Sequence, residues 1–88
     1  MNTGSWRADL DSFSFQPDGH DGLCIIHRRA FGTLIGHAPL PAECERYFDS
    51  HCAAFQRAAV AKIQRARLAA PENFHLNSRD IGRAFVAD

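Results

Sequence analysis

Residues 41–71 form a long segment in which apolar and polar positions recur with helical spacing. When they are placed on a period of 3.6 residues, the apolar side chains fall within one arc of roughly 80°. These residues are Phe48, Cys52, Phe55, Ala59, Ile63, Ala66 and Ala70. The pattern predicts one long amphipathic helix with this arc facing a core. Asp49-Ser50 is the one position where we consider a break, because serine can cap a second helix.

Two short segments before this helix have the pattern of β-strands. Phe13 and Phe15 alternate with serines, and a period of two is typical of a strand with one buried face. Residues 17–22 contain one proline and two glycines, which favour a turn. Residues 23–27 then form a short apolar run. This order predicts a β-hairpin.

Residues 28–37 permit two interpretations. Four apolar residues in and just after this segment have helical spacing: Phe31, Leu34, Ile35 and Ala38. Gly32 and Gly36 oppose a helix, because each weakens it by about 1 kcal/mol relative to alanine. We favour a short helix and retain a further strand through residues 31–35 as the alternative.

The C-terminal part alternates again at residues 74–76, which predicts a third strand, followed by a last turn or short helix through Ile81. We therefore predict an α+β fold. It has a small antiparallel sheet, made of the N-terminal hairpin and the C-terminal strand, packed against one long helix, with one short helix. Residues 1–88 are expected to form a single small domain in which residues 1–5 are frayed.

Composition narrows the classes of function. Ten Lys and Arg residues balance ten Asp and Glu residues, so the main electrostatic reason to expect a nucleic-acid or anionic-membrane partner is missing. No apolar run approaches the ~20 residues that a membrane span needs, and residues 1–5 lack the pattern of a signal peptide. Three cysteines without close pairing suit a reducing compartment. We therefore expect a cytoplasmic protein with no membrane partner.

Five histidines and three cysteines raise the hypothesis of a metal site, which their spacing does not favour. On a strand, Cys24 and His27 point to opposite faces, and His20 lies roughly 13 Å from Cys24. On the long helix, Cys44 and His51 are two turns apart, about 10 Å. Cys24 itself lies in an apolar run, which indicates a core residue rather than a reactive thiolate. We predict no metal, no cofactor and no catalytic residue, and we do not expect an enzyme.

Two surfaces of the long helix are candidate contact sites. One flank beside the core arc carries small and aromatic residues that permit close approach of a partner: Tyr47, His51, Ala54 and Ala58. Four cations are candidate anion contacts, although they are spread over roughly 220° of the helix and form no single stripe. They are Arg57, Lys62, Arg65 and Arg67. We interpret the chain as a non-catalytic interaction module that binds a protein partner or a second copy; the alternative is a nucleic-acid-associated accessory or regulatory protein.

Segments from Trp6 to Ile81 carry a resemblance to a known family. They are Trp6, Phe13-Ser14-Phe15, residues 26–31, residues 54–57 with Ile63, and residues 74–80. In their order they resemble the small proteobacterial proteins of the domain of unknown function 1488 family. The resemblance implies a compact α+β fold and no established activity, so it supplies no catalytic residue. The family pattern tends to place a strand before the tryptophan and a serine or similar cap at His27, and this sequence departs from both.

Overall fold

The computed structural model describes residues 4–86, which form four strands and four helices. The strands are β1 (Gly4–Arg7), β2 (Ser12–Phe15), β3 (Cys24–His27) and β4 (Phe74–Leu76). The helices are α1 (Arg28–Ile35), α2 (Pro41–Ser50), α3 (Cys52–Ala66) and α4 (Ser78–Val86), and a short 3-10 turn (Ala8–Leu10) joins β1 to β2. The predicted α+β class is therefore confirmed.

The strands form one mixed sheet in the order β1-β2-β3-β4. The predicted hairpin is confirmed, because β2 and β3 pair antiparallel with Phe13 opposite Ile26. The third predicted strand is also present as β4, but it pairs parallel to β3, with Ile26 opposite Leu76. The prediction of an antiparallel sheet was wrong because α1, α2 and α3 all lie between these two strands. A connection of this kind carries the chain back to the starting end of β3, so the next strand runs parallel to it.

Strand β1 was not predicted. It pairs antiparallel with β2 and places Trp6 opposite Phe13. Gly4 lies against the ring of Phe13, where a Cβ atom would collide with the aromatic carbons. The predicted fraying of residues 1–5 is wrong for Gly4 and Ser5, which belong to this strand, and residues 1–3 lie outside the described part of the chain.

The predicted long helix is two helices. The junction is His51, whose backbone has φ −129° and ψ 25°, one residue beyond the predicted break at Asp49-Ser50. Its N–H still donates to the carbonyls of Tyr47 and Phe48 at 3.1 Å, so α2 closes with a tightened last turn. The residue at the N-cap of α3 is His51, whose side chain makes no capping hydrogen bond, and serine therefore does not have the predicted capping role.

Helix α3 is also shorter than the pattern predicted, because Arg67 takes the left-handed conformation with φ 53° and ends it. The apolar arc is buried from Phe48 through Ala59 except at Cys52, which like Ile63 is partly buried. Ala66 and Ala70 are exposed, since they lie at and beyond the end of the helix.

The preference for a helix after His27 is confirmed by α1, and the strand alternative is wrong. The imidazole Nδ1 of His27 accepts a hydrogen bond from the backbone N–H of Arg29 at 3.0 Å, so histidine caps this helix in place of serine. Gly36 ends α1 with φ 101°, a conformation that favours glycine.

The core is built mainly from phenylalanines that lie between the sheet and the helices. Phe13 and Phe15 project from β2 onto Phe48 of α2, with ring centroids 4.6 and 4.9 Å apart. Phe31 of α1 stacks on Phe55 of α3 at 5.7 Å. All five rings are almost fully buried, so α1, α2 and α3 share one core. Ser12 and Ser14 are buried as well, because β2 is an interior strand and its small side chains lie between those of its neighbours.

Candidate functional site

The predicted partner surface on α2 and α3 does not form one exposed patch. Ala54 and Ala58 are only 4% and 3% exposed, because α3 packs along this side against α4. Tyr47 is partly buried and lies edge-on to Phe85 of α4, with ring centroids 6.3 Å apart. His51 is exposed and lies at the margin of this contact. Most of the predicted flank is therefore an internal contact between helices, which the sequence could not show because α4 is distant along the chain.

The four predicted anion contacts lie mostly against α4 too. Lys62 Nζ and Arg65 Nη2 both bind the carboxylate of Asp80, at 3.3 and 3.0 Å. Arg57 Nη2 donates to a backbone carbonyl of α4 at 3.3 Å. Arg67 is exposed and ends α3. Three of the four cations thus connect α3 to α4.

Asp80 organises this contact from the first turn of α4, where it is 8% exposed. Its backbone N–H donates to Asn77 Oδ1 at 2.8 Å, and its carboxylate accepts from the Asn77 N–H at 3.1 Å. This reciprocal pair is a capping box. Burial favours a higher pKa for Asp80, but the Asn77 N–H and the cations of α3 hold the pKa below its ordinary value. Asp80 is therefore a charged group that joins α3, α4 and the end of β4.

Two open cavities flank α1 and share His27, Arg29 and Thr33. The first, which we call the loop groove, has a volume of about 640 Å³ and lies between α1 and residues 36–39. The second, which we call the strand-end cleft, has a volume of about 480 Å³ and extends from α1 to residues 75–78 and Lys62. Both volumes fall in the range of ligand-binding pockets. The exposed side of α1 is therefore a ridge between two concave surfaces.

Charges in the loop groove are largely paired. Arg28 Nε donates to Asp11 Oδ1 at 2.8 Å, and this contact holds the pKa of Asp11 below its ordinary value. At the other end, His37 Nε2 lies 3.5 Å from a carboxylate oxygen of Glu43. Small residues such as Gly32 and Gly36 line the rest of the groove. The part lined by glycine is therefore accessible to an apolar side chain.

Leu40 stands beside the loop groove, directly after Pro39, which lines it. Its side chain is 67% exposed, more than that of the other large exposed apolar residues. Prolines on both sides restrict the backbone, and the Leu40 N–H donates to Glu43 Oε1 at 2.9 Å. The structure thus holds an apolar side chain in solvent on a rigid turn.

The strand-end cleft lies at the carboxyl ends of the parallel strands β3 and β4, between the first turns of α1 and α4. Within the described residues, its lining contains two cations, two imidazoles and two hydroxyls, and no carboxylate: Arg29, Lys62, His27, His75, Thr33 and Ser78. Within residues 4–86, the guanidinium of Arg29 makes no ion pair. This cleft therefore has a cationic lining.

The groups considered for a metal site are separated in the structure. His20 is buried, and its Nε2 lies 2.7 Å from the Glu72 carbonyl oxygen, where it connects the hairpin loop to the segment before β4. Burial raises the pKa of the Cys24 thiol, and it raises the pKa of Cys44 to about 11. In the part of the chain that the structure describes, no three His, Cys, Asp or Glu side chains are grouped so that they could hold a metal ion.

Sequence reasoning missed both cavities and the exposed leucine. A signal for Leu40 was present, since an apolar residue between two prolines is held on a stiff turn. The strand-end cleft had no local signal, because His75 and Arg29 become neighbours only through the parallel pairing of β3 and β4.

Comparison of the chain with protein-family models, with curated proteins and with solved structures finds no match. None of the helices between residues 4 and 86 is long and apolar enough to span a bilayer.

Proposed function

We propose that this protein is a non-catalytic interaction module that self-associates, with Leu40 of each copy entering the loop groove of the other. The observation that carries the proposal is the 67% exposure of Leu40 beside a groove of about 640 Å³. Because Leu40 directly follows Pro39, which lines the groove, two copies related by a two-fold axis would each donate one leucine and receive one.

The energetics favour a weak complex. Burying one leucine side chain contributes about 1.5 to 3 kcal/mol, so the symmetric pair contributes roughly 3 to 6 kcal/mol before the cost of association. The groove is bordered by the ion pair of Arg28 with Asp11 and by the contact of His37 with Glu43, which suit a polar rim around an apolar centre. We therefore expect self-association that depends on protein concentration.

The proposal is tested by measuring molar mass with light scattering after size exclusion, from micromolar to millimolar protein. The wild-type mass should rise towards that of a dimer, and Leu40→Ser should remain a monomer. Val60→Ser is the matched control, because Val60 is 36% exposed on α3 and lies outside the loop groove. A wild-type chain that stays monomeric throughout, or two variants that behave alike, would contradict the proposal.

Association with nucleic acid, the alternative from the sequence, has less support. Lys62 and Arg65 share the carboxylate of Asp80, so two of the four predicted cations are already neutralised in part. A mobility-shift titration at two salt concentrations tests this alternative, because phosphate contacts weaken steeply as salt rises. Two further statements stay predictions. They are that the chain belongs to the domain of unknown function 1488 family and that it is cytoplasmic.

A further inference from the structure

The strand-end cleft differs from the loop groove in its balance of charge. The loop groove is lined by Asp11, which neutralises Arg28 at 2.8 Å. Among residues 4–86, no carboxylate lines the cleft, whose lining contains Lys62 and the Arg29 that it shares with the loop groove. The carboxylate of Asp80 binds both Lys62 and Arg65, so two cations face one anion there. The cleft therefore has an excess of positive charge.

We propose that the strand-end cleft binds a phosphate group, and that Arg29 is its principal contact. Arg29 is exposed and makes no ion pair within residues 4–86, so its planar guanidinium is available for two parallel hydrogen bonds to an oxyanion. Ser78 adds a hydroxyl donor, whereas the Thr33 hydroxyl already donates to the Arg29 carbonyl at 3.3 Å. Lys62 adds a second cation, which also binds Asp80 at 3.3 Å. Together these groups offer more hydrogen-bond donors than a single carboxylate would accept. They suit the several oxygens of a phosphate.

The side chains, and not the helix ends, supply the attraction. The first turn of α1 is already capped by His27 Nδ1, which accepts from the Arg29 N–H at 3.0 Å. The first turn of α4 is capped by the reciprocal bonds between Asn77 and Asp80. Loss of a cationic side chain should therefore weaken binding even though both helix ends are unchanged.

The phosphate could belong to a free small molecule or to a phosphorylated side chain of a partner, and the chemistry recognised is the same. A free ion would contact the cleft alone. A phosphorylated peptide would also contact the exposed side of α1, which separates the cleft from the loop groove. The relative affinity for the two probes distinguishes these sources.

The test is a titration of ¹⁵N-labelled protein, followed by amide shifts, with inorganic phosphate and then with a phosphoserine peptide at constant ionic strength. Shifts should concentrate at residues 27–33 and 75–78. Arg29→Gln should weaken phosphate binding about tenfold or more, because charge-assisted hydrogen bonds are lost. Arg79→Gln is the matched control, since Arg79 is an exposed cation of α4 that lines neither cavity. It should bind as wild type does.

Shifts spread over the whole surface, or equal weakening by both substitutions, would overturn the proposal. Tighter binding of the peptide than of inorganic phosphate would assign the site to a phosphorylated partner, and equal binding would assign it to a free phosphate compound. The titration is repeated in the Leu40→Ser background, where the proposed dimer is absent. Phosphate binding that persists there is independent of self-association, whereas absence of binding in both backgrounds overturns the cleft proposal alone.

Discussion

The cations of α3 and the arginine in the first turn of α1 differ in what they contact. Lys62 and Arg65 bind the buried carboxylate of Asp80 and join two helices. Arg29 lies in the first turn of α1, exposed between two cavities, and makes no ion pair in the described part of the chain. The local sequence favoured α3 as the anion-binding surface because its cations are more numerous. In the structure most of them contact α4, whereas Arg29 is exposed and makes no ion pair within residues 4–86.

The number of charges in a segment does not show how many of them are available to a ligand. A single acid from elsewhere in the chain, Asp80, changes the role of two cations of α3. Ion pairs with a buried partner are structural, since breaking them leaves an uncompensated charge. A cation without such a partner costs the fold little when it is removed.

Asp80→Ala is expected to lower the free energy of unfolding by about 2 to 4 kcal/mol, because it removes both a helix cap and the partner of Lys62 and Arg65. Urea denaturation followed by circular dichroism measures the change. Asp9→Ala is the control, since Asp9 pairs with Arg7 at 2.9 Å on the exposed surface and should have little effect. Equal losses in the two variants would show that the Asp80 contact is no stronger than a surface pair.

Removing both cations of the buried cluster, Lys62→Gln with Arg65→Gln, should cost about 1 to 2 kcal/mol, less than losing Asp80 because the capping box remains. The matched double variant removes two exposed cations, Arg29→Gln with Arg79→Gln. It should change the free energy of unfolding by no more than about 0.5 kcal/mol. Thermal and urea unfolding of the two proteins give the comparison directly. A greater loss in the second protein would reverse the assignment of structural and available cations.

The smallest expected effect is a dependence of stability on pH. The pKa of Asp80 is lower in the folded protein than its ordinary value, so its contribution is complete above about pH 4 and is lost as pH falls through the folded pKa. Asp9 and Asp11 are shifted in the same direction by Arg7 and Arg28, and they contribute in the same range.

Unfolding free energies measured between neutral pH and pH 2 should therefore fall less steeply in Asp80→Asn than in the wild type. The difference between the two proteins should shrink as Asp80 becomes protonated. Parallel curves for the two proteins would mean that Asp80 has the same pKa in the folded and unfolded states.

Much of the fold followed from local patterns. The alternation at Phe13 and Phe15 predicted β2, and the helical spacing after His27 predicted α1, because the large apolar side chains recur with the period of the element. The prediction that β2 has one buried face was wrong, since its serines are buried as well. Strand β1 was missed because Trp6 is its one aromatic residue and no alternation accompanies it. The parallel pairing of β4 was missed because three residues of alternation carry no information on direction.

The candidate site was predicted less well than the fold. The flank from Tyr47 to Ala58 was predicted as a partner surface, but Ala54 and Ala58 are buried in the structure, where α3 packs against α4 of the same chain. Nothing local to α3 reveals this, since a small residue on a helix permits close approach by any element. The two cavities arise where α1 leaves the sheet, so they depend on how distant segments are placed.

The sequence by itself determined which segments are apolar on one face, where prolines and glycines end them, and that the chain forms an α+β domain. These properties depend on residues a few positions apart, so they can be read from local periodicity. Only the tertiary structure decided that β4 lies parallel to β3, that Asp80 binds the cations of α3, and that Arg29 remains accessible. Those outcomes depend on which distant side chains become neighbours when the core closes.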